Sequence, residues 1–416
     1  MGLVYSAFIF VYTIFMTPGG WFIDRFGAWR ALVIMGFGSA LFGMLTGMIG
    51  WFLFSGVALW LGLMIIRSLM GLFTAPIYPA SGKIIARWFP LPQRALANGL
   101  VIGAALAGNA STFFGFGLLI DGCGWQTAFL ITGGVTAFFA LLWMMYARED
   151  PSQHPSVNLA EIQIIHPTPQ AQFAPARVQA GATEQLSDPS IELPDLTKNY
   201  IPPSANVLSL LRNRSLVLLT VSYAAVGYFE YLFYFWIEYY FLTELELSQK
   251  QSRIAATIAT SAMAVGMFLG GWLADLATRR FGHRLGRAIV PVTGMTTSAF
   301  LLYLGFTATE AEWVVVWFSL AMAAVGASEG PFWATAIELG GKRGGTSAGI
   351  FNTGGNVGGF LSPAITPVIG ETFGWDYGIG LASIVCLAGV ILWFWIDPSE
   401  RRPEDSEAPV SKGTKA

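Results

Sequence analysis

Gly19-Gly20-Trp21-Phe22-Ile23-Asp24 returns 251 positions later as Gly270-Gly271-Trp272-Leu273-Ala274-Asp275. Arg25-Phe26-Gly27 returns as Arg280-Phe281-Gly282, 255 positions on, so the second copy carries four extra residues. Pro76 and Pro331 are also 255 apart, each late in a long apolar stretch. A spacing held over that distance marks two copies of one unit. In each copy the motif follows an apolar segment long enough to cross a bilayer, so the unit is a bundle of spanning helices.

Composition agrees. Of 416 residues, 54% are hydrophobic and 12% charged, with a mean hydropathy of +0.57. Soluble domains carry about 25% charged residues, and half that proportion cannot cover a water-soluble core of this size. The net charge of −2 and the absence of a basic run exclude nucleic acid as a partner. Cys123 and Cys386 form neither a disulfide framework nor a metal pattern, and His154, His166 and His283 lie outside the apolar segments. No metal and no cofactor is expected.

Apolar segments of roughly 20 residues or more read as spans. Eleven appear, near 1–22, 31–50, 53–80, 95–119, 126–146, 216–242, 252–274, 288–307, 313–337, 345–369 and 377–396. The stretch 147–214 is rich in Pro, Gln, Ala, Asn and Ser and reads as a poorly ordered linker. The expected organisation is an N-terminal bundle at 1–146, that linker, a C-terminal bundle at 215–396 and a polar tail at 397–416. Loops on one side hold 20 of the 23 Lys and Arg, including Arg25, Arg30, Lys83, Arg87, Arg279, Arg280 and Arg287. The other side holds only Lys250 and Arg253, and Arg67 lies inside a span. This asymmetry places the linker and C-terminus in the cytoplasm. The first half has five visible spans and the second six. In the first half the repeated motif follows the first visible span, in the second half the second. Aligning the copies predicts one further helix ahead of Met1; a true eleven-span protein is the alternative.

The stretch Gly20-x-x-x-Asp24-Arg25-Phe26-Gly27-x-x-Arg30 resembles the loop signature of the major facilitator superfamily. Arg87-Trp88-Phe89-Pro90 with Arg94, Glu149-Asp150-Pro151, Phe332-Trp333-Ala334 and the run Gly349 to Gly359 with Pro363 resemble its anion:cation symporter family. The resemblance covers nearly the whole chain, with the motifs in order. It implies an all-α polytopic membrane protein of two pseudo-repeated six-helix bundles, here short of its first helix. It further implies a monomer in a bacterial inner membrane, carrying an organic anion, such as a sugar acid, with a proton or sodium.

Glycines of the repeated motif let helices approach closely, and Asp24 at the membrane edge can pair with cations and helix N-termini of the other bundle. Gly20, Asp24, Arg25, Gly27, Arg30, Asp275 and Arg280 are therefore expected to gate, with topological anchoring the alternative for the arginines. Ionisable groups within spans are costly, and only Arg67, Glu230 and Glu329 lie well inside. The resemblance makes Arg67 a substrate- or coupling-linked arginine; a structural ion pair is the alternative. Where related sequences often have a glutamate seven residues after it, this chain has Thr74, which cannot carry a proton. Glu230 and Glu329 then become the coupling candidates, against Glu230 pairing with Arg67 and Glu329 supporting a helix break. Tyr12, in Phe8-x-x-x-Tyr12, resembles a substrate-site tyrosine. Asn352 and Asn356 share a helix face and can bind substrate hydroxyls or bridge helices. Trp333 is expected as a cavity wall or a packing residue.

No nucleophile–base pair, metal cluster or phosphate loop lies within a span, so an enzyme is not expected. The expected function is secondary active transport of an organic anion by alternating access. An anion exchanger, or a transport-inactive receptor or scaffold, is the alternative.

Overall fold

The computed structural model describes residues 2–52, 56–165 and 207–400. Thirteen α-helices dominate them: α1 (Gly2–Phe26), α2 (Ala28–Phe52), α3 (Gly56–Thr74), α4 (Ile77–Trp88), α5 (Arg94–Tyr146), α6 (Leu159–Ile165), α7 (Arg214–Thr243), α8 (Gln249–Phe281), α9 (His283–Thr307), α10 (Ala311–Gly326), α11 (Glu329–Gly340), α12 (Gly344–Phe373) and α13 (Trp375–Leu392). A backbone in hydrocarbon must satisfy every N–H and C=O internally, which a helix does. Polar caps start two of these helices. Asn213 accepts from Leu216 N at 2.9 Å ahead of α7, and Ser248 forms a capping box with Gln251 ahead of α8.

Nine stretches of the described residues are long and apolar enough to cross a membrane. One of them, 311–373, reverses at Gly341–Arg343 and so holds two passes. The first limb of α5 adds another, because α5 breaks at Gly124, whose φ of 77° a side chain would resist. The eleven passes expected from the sequence are thus all present among the described residues. Two of them are interrupted. Pro76 stands between α3 and α4, and Ala327-Ser328 stand between α10 and α11, just ahead of Pro331. Proline cannot supply the N–H that a continuous helix needs, so the longer stretches break there.

Helices pair mainly within halves: α1 with α3 and α2 with α5 in the first, α7 with α12 and α8 with α10 in the second. The halves meet through α1 against α12 and α5 against α8. The best-buried span is α7, whose Phe229, Phe233 and Phe241 pack with Phe318 of α10.

The segment expected as a linker is folded at its start. Trp88 Nε1 donates to Arg148 O at 3.2 Å, His154 is wedged edge-on between the Trp88 and Tyr146 rings, and α6 follows. Composition misses this because the contacts are made with distant residues. Residues 166–206 of that linker, and the tail beyond 400, lie outside the described residues.

Candidate functional site

The repeated motif meets the opposite half at the end of the bundle where the arginines gather. Asp24 receives the N-terminus of α12: Gly345 N donates at 2.9 Å, Thr346 N at 2.7 Å and Thr346 Oγ1 at 2.6 Å, while Lys83 forms an ion pair with Oδ1. Asp275 receives the N-terminus of α5: Ala95 N donates at 3.2 Å and Leu96 N at 2.7 Å, while Arg287 pairs at 2.9 Å. Each half therefore grips a helix start of the other, where the dipole and free N–H groups favour a carboxylate. Arg287 is fully buried, also donates to Leu91 O at 2.8 Å and binds Glu338 at 3.0 Å. Glu338 in turn meets His283 Nε2 at 2.9 Å.

Glycines allow this contact. A Cβ on Gly20 would lie 2.3 Å from Gly345 O, and one on Gly271 would lie 2.5 Å from Ala95 O. Gly27 turns the chain at φ 97° beside Glu149, whose carboxylate accepts Ala28 N at 3.0 Å and Trp29 N at 2.6 Å and binds Arg87 at 2.7 Å. The other motif arginines are peripheral. Arg25 stacks over Trp21 and Phe26 at 5.8 Å, Arg30 is exposed, and Arg280 lies over Phe281 at 5.7 Å. The cation that meets Asp275 is Arg287, not the repeat residue Arg280.

Between the halves, beyond this sealed end, lies a cavity of about 280 Å³. The first half lines it with Tyr12, Tyr78 and Asn109, and the second with Tyr231, Glu230, Glu329, Trp333, Asn352 and Asn356. Asn352 Nδ2 donates to Met16 Sδ across the halves at 2.9 Å, and Asn356 Nδ2 donates to Asn352 O at 3.0 Å. The Tyr78 and Trp333 rings, one from each half, pack 5.5 Å apart. Tyr223 OH donates to Glu329 Oε2 at 3.0 Å, and Trp333 Nε1 donates to the same oxygen at 3.1 Å. Glu230 and Glu329 are both buried in the wall of this cavity, and the Oε1 atom of each has no hydrogen-bond partner. A larger opening, about 820 Å³, lies at the basic end around Arg30, Arg87 and Glu149. Only first-half residues line it, so it is not a site the halves share.

Tyr12, Glu230, Glu329, Trp333, Asn352 and Asn356 thus come together at one cavity. Arg67 does not join them among the lining residues. Its guanidinium lies over the Phe129 ring at 5.2 Å, and Nη1 points to Met70 Sδ at 3.8 Å. It stands eleven residues before Tyr78, about 16 Å along the helix path and away from the basic end. Sequence reasoning missed Tyr78, Tyr223, Tyr231 and Asn109. The aromatic density from Tyr223 to Tyr240 was the available signal, but an interfacial belt gives the same composition. The described residues hold no group of His, Cys, Asp and Glu able to bind a metal.

Two helical bundles joined by reciprocal helix-end contacts around a shared polar cavity describe a multi-pass membrane transporter. The Major Facilitator Superfamily profile matches residues 1–363 and 219–416, and the chain belongs to that superfamily, whose members are transporters rather than enzymes. It is 28% identical over 398 residues to the "Probable galactarate/D-glucarate transporter GudP" of Escherichia coli K12, covering 94% of this chain and 83% of that protein. It is 27% identical to the "D-galactonate transporter" of Escherichia coli O6:H1, covering 94% and 85%. It is 25% identical to the "Probable sulfoacetate transporter SauU" of Cupriavidus necator, covering 96% and 85%. Among solved structures, a single-residue variant of the E. coli fucose:proton symporter FucP superposes with a TM-score of 0.68 at 13% identity, covering 95% of this chain and 90% of the other. At that identity the likeness shows the fold.

Proposed function

We propose that this protein is a secondary active transporter that moves a small organic anion of the sugar-acid class with a proton, by alternating access. The observation that carries the reading is the cavity lined by both halves, with two buried carboxyls in its wall. Its volume suits a six-carbon polyol acid. Tyrosine hydroxyls and the Asn352 and Asn356 amides supply donors and acceptors for substrate hydroxyls. Glu230 and Glu329 supply the proton site that Thr74 cannot. The three named relatives, all of organic anions, support this class.

The excess of Lys and Arg at the sealed end supports a cytoplasmic placement of that end, and the bacterial relatives support an inner membrane. The structure then corresponds to a state closed toward the inside, held by Asp24 and Asp275. Opening requires both aspartates to release the helix starts they hold, after which the halves rock about the cavity.

The test is uptake of labelled D-glucarate, galactarate and D-galactonate by the reconstituted protein, under imposed proton or sodium gradients. Proton-driven accumulation of at least one, lost in the Glu230→Gln, Glu329→Gln double variant, is expected. Exchange of internal for external anion without any gradient dependence would instead make the protein an exchanger. Binding with no accumulation or exchange would make it a receptor.

A further inference from the structure

Glu230 and Glu329 line the same cavity, but their surroundings differ. Glu329 is the first residue of α11, at a helix N-terminus that favours negative charge. Its Oε2 accepts two donors, Tyr223 OH and Trp333 Nε1. Glu230 lies in the middle of α7, beside the fully buried Phe229. The Oε1 atoms of both carboxyls are buried without a hydrogen-bond partner, so the difference lies in the donors to Glu329 Oε2. Two carboxyls in one small cavity repel when both are ionised, so one of them keeps its proton. Two donors and a helix start stabilise a charge on Glu329. The proton therefore belongs to Glu230 and the charge to Glu329.

The same charge holds the gate. Trp333 lies one turn after Glu329, gives its indole N–H to that carboxylate, and lays its ring against Tyr78 of the other half. Tyr223, the second donor, is stacked on Phe351 of α12 at 4.0 Å. Resting on the transport reading above, we propose that Glu230 is the proton carrier and that Glu329 is the fixed charge transmitting proton occupancy to the Tyr78–Trp333 gate. Trp333 and Tyr223 are positioning residues. When Glu230 releases its proton, its O–H bond breaks and the proton passes to cavity water. Two like charges then face each other in a confined site and must separate. Glu329 can move only by giving up Trp333 and Tyr223, which frees the gate. The other ionisable groups facing the pair are Tyr12 from α1, Tyr78 from α4, and Tyr231 and Tyr234 from α7. The described lining residues of α5, α8 and α12 are Ile102, Ala105, Leu106, Asn109, Met267, Asn352, Gly355 and Asn356, none of them charged. On α8 and α9, Asp275 and Arg287 pair with each other at the basic end.

Infrared difference spectra of the full chain in liposomes, taken across a pH titration, read the protonated-carboxyl stretch without any substrate. Glu230→Gln is expected to abolish the titrating band, and Glu329→Gln to keep it with a changed midpoint. Spin-label distances across the basic end (Gln93→Cys with Lys342→Cys) read whether freeing the Tyr78–Trp333 gate lets the halves part. They are expected to lengthen as pH rises in the parent protein and to stay short at every pH in Glu230→Gln. Trp333→Phe keeps a ring against Tyr78 but removes the N–H, and is expected to lose the pH response with folding intact. A band that survives Glu230→Gln and vanishes in Glu329→Gln would reverse the roles. A parent distance that ignores pH would overturn the gate coupling. Because the spectra need no substrate, failed sugar-acid uptake strikes the transport reading and leaves the proton assignment standing.

Discussion

Gly20→Ala combined with Gly271→Ala should unseat the closed state without disturbing either half. The added Cβ atoms would sit 2.3 Å from Gly345 O and 2.5 Å from Ala95 O, where ordinary contact begins at 3.4 Å. The two interfaces must separate by about 1.1 Å and 0.9 Å, and both obstacles are backbone, which cannot rotate aside. Overpacking of this kind costs about 1–3 kcal/mol at a site. Both contacts join opposite halves, so the cost falls on the closed state and spares a state open at the basic end. Two such sites displace the equilibrium by about 2–6 kcal/mol, at least roughly 30-fold. The assay is double electron–electron resonance between labels at Gln93→Cys and Lys342→Cys, exposed positions of opposite halves, with Cys123 and Cys386 replaced beforehand. The ratio of the short-distance to the long-distance population should fall by that factor. Gly117→Ala is the control, since a Cβ there meets nothing within 4 Å. Unchanged distances in the double variant, with the protein folded, would refute the claim that glycine-permitted backbone contact holds the end shut.

Asp24→Asn and Asp275→Asn each leave an acceptor of nearly the same shape but remove the charge from a buried helix-end contact. Each should raise labelling of cysteines placed at the basic end, and the double variant should exceed either alone; equal labelling in all three would show that the carboxylate charge is irrelevant there. Glu149→Gln weakens the cap of α2 and its partly exposed pair with Arg87. The solubilised protein should lose about 1 kcal/mol of stability, seen as a lower melting midpoint, with the basic-end distances unchanged.

The sequence alone was enough to recognise spans and duplication, because these depend on local composition and on residues repeating at long intervals. Asp24 was legible as a helix-end partner since its motif is short and its position at a span edge leaves few options. Arg287 was not. It stands twelve residues past Asp275 on the following helix, and only the hairpin between α8 and α9 brings them together. Arg280, the repeat's counterpart of Arg25, looked more promising and points away. Glu230 and Glu329 were each suspect as intramembrane charges, yet the cavity wall they share joins α7 to α11 across 99 positions. Arg67 was expected at the substrate and instead stacks on Phe129, since a position along a helix does not fix which neighbour its long side chain reaches. The folded start of the supposed linker was hidden because Pro and Gln describe average behaviour, not the packing of one particular His154.

The paired aspartate grips also bear on time. They lie on opposite sides of the seam between the halves, and each half is holder at one and held at the other. Loosening one leaves the halves pinned at the second, so a partial opening gains no freedom before both have let go. The barrier to opening then contains both releases together, and the dwell time of the closed state scales as the product of two modest retardations. A carrier fastened in this way stays shut long enough for a slow substrate to load, using contacts none of which is individually strong.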